Sequence, residues 1–364
     1  MRSICLYALV LSILIQSCGQ NVIKDEIKYY ALDDFASVEK IDMHIHFNTD
    51  DHKFVNLLKE DNFRLIGIVD DRPFGTPMQE QQKYAVTLRE TFPEWFNFAT
   101  TFPVNEWDKE DWTNSTISYL NNYIDSGATA VKIWKNIGMD LKDASGKFVM
   151  MDDPKLDPVY DFLAKNNITV VGHNGEPRDC WLPLEQMTVK GNRNYYSEHP
   201  EYHMFLHPEY PSYEAQIAAR DNVLKKHPDL KFISFHLASL EWSLEEIAKR
   251  LDEYPTLAIE LSRKDNLLIH AKLDWQKTRD FFIKYQDRLI YGTDRSVNKT
   301  NNLEGLKKNV HSGWRNDWKF FTTDELINDP GIDGEIKGLK LPANVIDKIF
   351  RINVETWIPG LTKP

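Results

Sequence analysis

From residue 39 onward, short β-branched or aromatic runs alternate with stretches in which apolar residues return at helical spacing. The runs predict strands at 39–47 (EKIDMHIHF), 63–70 (FRLIGIVD), 96–104 (FNFATTFPV) and 129–136 (TAVKIWKN). Four more follow at 168–174 (ITVVGHN), 231–239 (KFISFHLAS), 256–263 (TLAIELSR) and 288–295 (RLIYGTDR). Segments such as 212–227 and 243–253 predict amphipathic helices between them, and 343–357 a closing helix. A strand followed by a helix, repeated eight times, argues for a parallel sheet, and eight parallel strands close into a barrel. A doubly wound open sheet would normally carry a glycine-rich phosphate loop after its first strand, and His44-Ile45-His46-Phe47-Asn48 is nothing of the kind. The expected fold class is α/β, a (β/α)8 TIM barrel spanning residues 37–364.

Three connections are long for such a barrel: 137–152, 175–211 and 296–342. All follow strands and therefore belong to the carboxyl face, where barrel sites are built. The second is rich in rings (Trp181, Tyr195, Tyr196, His199, Tyr202, His203, His207, Tyr210), and the third carries Trp314, Trp318, Phe320 and Phe321. They are expected to form walls or a lid, with a ring-containing or sugar-like ligand stacked on Trp181, Trp314 or Trp318.

The residues before the first strand have a different character. Arg2 precedes an apolar run, Ile4 to Ile15, that is too short to span a bilayer comfortably and suits the core of an export signal. The run ends in Ile15-Gln16-Ser17-Cys18-Gly19, which resembles a bacterial lipobox. On this reading residues 1–17 are a lipoprotein signal peptide, Cys18 carries lipid, and residues 18–36 form the lipidated N-terminus and a polar tether. The chain is then exported and anchored to a membrane of the cell envelope; an ordinary signal peptide with an incidental cysteine is the alternative. Of the three cysteines, Cys5 leaves with the signal and Cys18 is lipidated, so Cys180 remains alone and no internal disulfide is available. A formal charge of −11 without a Lys/Arg cluster excludes a nucleic-acid binder and leaves a small-molecule substrate as the expected partner.

The chemistry gathers at predicted strand ends. His44 and His46 are separated by one residue, so on a strand both imidazoles face the same side. His173 ends the fifth strand, His236 the sixth and Asp294 the eighth, and strand ends in a barrel converge above a common axis. Imidazoles with one carboxylate suit zinc or another borderline divalent cation, and an open coordination position would make the site catalytic by acidifying a bound water. Asp294 could both bind the cation and accept that water's proton, while His236 is a ligand or a residue that polarises substrate. A single histidine near a strand end is more often structural; five such residues in order at strands one, five, six and eight are harder to assign to chance.

These motifs, IDMHIHF, VVGHN, FISFHLAS and IYGTDRS, with the ending LPANVIDKIFRINVETW, resemble the amidohydrolase superfamily across residues 39–360. The last two are most similar to its branch of decarboxylases and lactonases. The resemblance implies His44, His46, His173 and Asp294 as metal ligands, His236 as ligand or catalytic acid, and Asp294 as base. Lys132 occupies the place where two-metal members carry a carboxylated lysine, which the decarboxylase and lactonase branch lacks. One or two ions are therefore open, with Lys132 either a carbamate or a plain ammonium that binds a substrate carboxylate or pairs with an acid such as Glu260.

Less specific candidates follow His173: Glu176 and Arg178 are read as overhanging the pocket, where Arg178 forks onto substrate or forms a loop salt bridge. Trp134 and Lys135 lie just beyond Lys132, and Arg263 ends the seventh strand. His203 and His207 are read as surface or lid residues and Cys180 as inert. Three functions remain open. The first is hydrolysis, with activated water attacking a carbonyl, amide or lactone and Asp294 as general base. The second is decarboxylation without hydrolysis. The third, from another class, is a non-catalytic surface binding lipoprotein, which predicts missing ligands where all five are present.

Overall fold

The computed structural model describes residues 27–300 and 302–361. The lipobox and Cys18 lie outside these residues. Among the described residues, no helix is long and apolar enough to cross a membrane.

Nine strands form one sheet: β1 Lys40–Asn48, β2 Phe63–Ile68, β3 Phe96–Thr100, β4 Ala128–Ile133, β5 Thr169–Gly172, β6 Phe232–Ser234, β7 Leu257–Glu260, β8 Leu289–Ile290 and β9 Arg295–Asn298. Their order is β8-β7-β6-β5-β4-β3-β2-β1-β9, and every neighbouring pair is parallel. β8 and β9 are two halves of the predicted eighth strand, one paired with β7 and the other with β1. Between them the Met43 N–H donates to the Tyr291 carbonyl at 3.2 Å, so the sheet returns on itself and the TIM barrel closes.

Helices follow the strands: α1 His52–Lys59, α2 Met78–Thr91, α3 Trp112–Asp125, α4 Asp157–Lys165, α5 Tyr213–Lys226, α6 Leu244–Glu253, α7 Lys264–Leu273, α8 Trp275–Lys284 and α9 Leu303–Thr322. Strand side chains alternate between two cores. Phe63, Phe96, Phe98, Val131, Phe232 and Leu257 pack outward against the helices. Ile41, Met43, Ile66, Ile68, Ala99, Ala130, Val171, Ile233, Ala258 and Ile290 fill the interior, plugged at the amino ends of the strands by Val354, Trp357, Ile358 and Leu361. Packing is tight enough to dictate residue size: a Cβ at Gly172 would lie 2.3 Å from Phe232 Cζ.

The structure corrects four expectations. Residues 28–36 are no free tether, because Phe35 is buried, the Ala343 N–H donates to the Lys28 carbonyl, and the Trp318 indole N–H donates to Ala31. The sixth strand stops at Ser234, because His236, Leu237, Ala238 and Ser239 take left-handed φ of 56°, 54°, 60° and 52°. The connection 296–342 is largely ordered structure: β9, the 20-residue α9, and an antiparallel hairpin of β10 Leu326–Asp329 and β11 Ile332–Lys337. Asn302 caps α9 by accepting the Glu304 and Gly305 N–H groups. Finally, Trp314, Trp318, Phe320 and Phe321 form no substrate wall. Their spacing on α9 puts them in the core, Trp314 stacked on Phe63 at 3.8 Å, and fully buried rings leave no face for a ligand.

Candidate active site

The site is built on an irregularity in β1. Ile41 and Met43 point into the barrel, yet His44 and His46, of opposite parity, also face its mouth; the register against β2 shifts between Asp42 and Ile45. Such a bulge turns one strand's facing by a residue. Asp42 stabilises it by accepting from the His44 N–H at 3.1 Å, the Thr293 N–H at 3.1 Å, the Thr293 hydroxyl at 2.6 Å and the Trp314 indole at 2.9 Å. The same carboxylate thus ties the first strand to the turn that carries Asp294.

Asp294 itself sits at φ 57°, a left-handed conformation that non-glycine residues hold at some cost. Its Oδ1 lies 3.2 Å from His44 Nε2 and 3.2 Å from His46 Nε2, and its Oδ2 lies 4.0 Å from His236 Nδ1. Donor atoms of His44, His46 and Asp294 are close enough to share one ion. His173 is not in that set; its ring stands 4.2 Å from His236, and it lines the same cleft of about 240 Å³ as His46, Asp70, Lys132 and Asp294. A second group, His44, His236 and Glu260, also converges.

Burial holds the imidazoles of His44, His173 and His236 well below the ordinary histidine pKa, so they are neutral and keep a lone pair. For Asp294 burial acts upward, but the surrounding His44, His46 and His236 override it and hold the carboxyl well below the usual range. Neutral imidazoles around an ionised carboxylate fit a divalent cation.

Lys132 is buried in the cleft with its ammonium 3.8 Å above the Phe235 ring and without a hydrogen-bond partner. Burial pulls its pKa down to about 7, against the upward pull of Asp70, Asp294 and Glu260. No hydrogen-bonded pair with Glu260 forms. Lys135 pairs instead with Glu176, which places both at the rim.

Arg178, by contrast, does not overhang that cleft, and Trp181 does not line it. Arg178 stacks on Trp242 at 4.2 Å in a separate surface hollow with Tyr213, and Trp181 packs on Tyr213 while its indole N–H donates to Pro211. His203 and His207 have their Nε2 atoms on the carbonyls of Leu182 and Pro200. Cys180 is buried, its thiol pushed up to about 12.

Several residues escaped the sequence reading. Asp70 ends the β2 run on the same parity as Ile66 and Ile68, and its Oδ2 is 3.4 Å from His46 Nδ1. Arg72 forks onto Asp70 and reaches the same His46 nitrogen at 3.1 Å. Ser262, two residues past Glu260, gave no signal because a serine at a strand end is commonplace.

A model of the amidohydrolase family matches residues 137–355. No curated protein matches the chain. Among solved structures, 2,6-dihydroxybenzoate decarboxylase from Rhizobium is similar at 13% identity and a TM-score of 0.53, over 88% of this chain and 98% of that one. A 2,6-dihydroxybenzoate decarboxylase complexed with 2,6-dihydroxybenzoate gives 14% and 0.52 over 88% and 98%. A probable 2-pyrone-4,6-dicarboxylic acid hydrolase from Acinetobacter baumannii, with citric acid bound, gives 13% and 0.48 over 88% and 99%. At such identities the likeness to the two decarboxylase structures establishes the barrel fold alone. The family model spans more than half of the sequence, including the strands that carry His173, His236 and Asp294, and the chain belongs to the amidohydrolase family.

Proposed function

We propose that the protein is a metal-dependent hydrolase that adds water to a carbonyl, amide or lactone carbon of a small-molecule substrate. The observation that carries this reading is the placing of two imidazole Nε2 atoms, each 3.2 Å from one oxygen of Asp294, at the carboxyl mouth of the barrel. His44, His46 and Asp294 would hold the cation, with His173 and His236 beside them, and zinc is the ion that this donor set suits best. A divalent cation bound there supplies Lewis acidity and lowers the pKa of water towards neutrality. Asp294, ionised and the most open member of the set, is placed to take a proton from water and return it to the leaving group. Lys132 either binds an anionic group of the substrate as an ammonium or, carboxylated, joins a second ion; its lowered pKa is compatible with both.

One observation favours a second reading. An unpartnered buried ammonium facing the cleft suits a carboxylated substrate, and the similar Rhizobium barrel is a decarboxylase. In that case Asp294 would first take a proton from water and then deliver it to carbon as the carbon–carboxylate bond breaks, the carboxylate leaving as carbon dioxide that the remaining hydroxide can take up as bicarbonate. The test is metal analysis of the purified protein with a screen of lactones, acylated amines and carboxylated aromatics. Hydrolysis products that vanish with chelator and return with zinc support the first reading. Carbon dioxide release alone supports the second, and turnover indifferent to chelator removes both.

A further inference from the structure

Behind the mouth of the site stands a buried carboxylate with two different tasks. Glu260, at the end of β7, accepts the His236 backbone N–H at 2.9 Å and the Ser262 hydroxyl at 2.8 Å on one oxygen, Oε2. Ser262 Oγ is also 2.8 Å from His236 Nδ1. A hydroxyl has one proton, and here it goes to the carboxylate, so its lone pair faces the ring and must receive an N–H from Nδ1. The remaining nitrogen of a neutral His236, Nε2, then carries the lone pair. The other carboxylate oxygen, Oε1, lies 3.5 Å from His44 Nδ1, and both atoms are buried without a hydrogen-bond partner, so each is the nearest polar group that can satisfy the other. The opposite nitrogen of His44 is the one that meets Asp294. Room for Oε1 is made by Gly292, where a Cβ would come within 2.3 Å of it. Lys132, the nearby cation, makes no hydrogen bond to Glu260.

We propose that Glu260 is the positioning residue of this site: it orients His44 directly and His236 through Ser262, so that both rings are protonated on Nδ1 and offer Nε2 as a lone pair. This rests on the metal-site reading above for its purpose, but its geometry is independent of it. One consequence concerns His236, which in this tautomer is a base or a ligand through Nε2 and cannot donate a proton from that nitrogen. Outer-shell carboxylates of this kind fix ring orientation and typically change cation affinity by about 10- to 100-fold when removed.

The tautomers can be read in the metal-free protein labelled with 15N-histidine, with long-range 1H–15N spectra assigned by single histidine substitutions. The expected result is protonated Nδ1 on His236 in the metal-free protein, and on both His236 and His44 once zinc is added, because without a cation His44 Nε2 faces the Asp294 carboxylate at 3.2 Å. S262A should disturb His236 alone, and S262T, which restores the hydroxyl, should recover it. Cobalt(II) titration of the same samples should show E260Q binding about 10- to 100-fold more weakly than the parent, with unchanged far-UV circular dichroism. Protonated Nε2 on His236 of the metal-free parent or on His44 of the zinc-loaded parent, or E260Q binding cobalt as tightly as the parent, would overturn the proposal. A parent with Nδ1-protonated His236 that takes up no cobalt would instead sink the metal-site reading and leave the positioning role of Glu260 through Ser262 standing.

Discussion

Lys132 shows how a single residue can oppose stability in the interest of chemistry. An ammonium buried without a hydrogen-bond partner, pulled from 10.5 to about 7, binds a proton less tightly in the folded chain than in the unfolded one. Between those two values the unfolded state holds more protons, so stability rises with pH; below about 7 the full penalty applies. Lys132→Met should therefore stabilise the metal-free protein at pH 7 by on the order of a few kcal/mol, and the advantage should shrink towards pH 10, as followed by denaturant melts. Turnover should be lost at the same time. The histidines act in the opposite part of the pH scale. His44, His173 and His236 are kept neutral by burial, so below the ordinary value of 6.5 the unfolded chain gains protons that the folded chain refuses. Thermal midpoints of the metal-free protein should fall as pH drops through 6.5, and zinc should blunt that fall if it occupies the site. Asp294→Asn keeps the shape and removes the base; on any substrate that the screen finds, kcat/KM should drop by about 10²- to 10⁴-fold.

Elements of the barrel show where local preference yields to packing. The left-handed turn after β6 runs through four non-glycine residues, each disfavoured by roughly 1–2 kcal/mol. It persists because Ser239 donates its hydroxyl to the Asn174 carbonyl, Tyr213 donates to Ser239, and Arg220 donates to Ala238. Close contact between β5 and β6 works the other way. Gly172→Ala should destabilise by about 1–3 kcal/mol through collision with Phe232, and Phe232→Leu should recover part of the loss, both measured by urea unfolding.

At the scale of the whole molecule, the segment before β1 acts as a strap across the outer face. Phe35 packs beside Phe63 and Trp318, and Tyr30 donates to Asp347, so the strap joins the first strand, α9 and the closing helices. Phe35→Ala should cost about 3 kcal/mol or more, seen as a lowered denaturant midpoint without loss of the barrel's far-UV signature. The split eighth strand is a second whole-molecule feature. Its two halves close the sheet on either side of the turn that bears Asp294, so closing the barrel and presenting the aspartate are one structural event.

What the amino-acid order determined by itself was the periodic part: the eight strand positions, the barrel, and the candidate ligands His44, His46, His173, His236 and Asp294 at strand ends. These were legible because parity along a strand and its end position are local properties of the chain. Even α9 was legible in principle, with apolar residues at helical spacing, and was hidden only by the length of the connection around it. Tertiary structure alone decided the rest. Whether Trp314 faces ligand or core, whether Arg178 reaches the cleft, and which carboxylate stands behind each imidazole depend on residues tens to hundreds of positions apart. Such contacts are set by how helices and strands pack in three dimensions, and no local spacing encodes them.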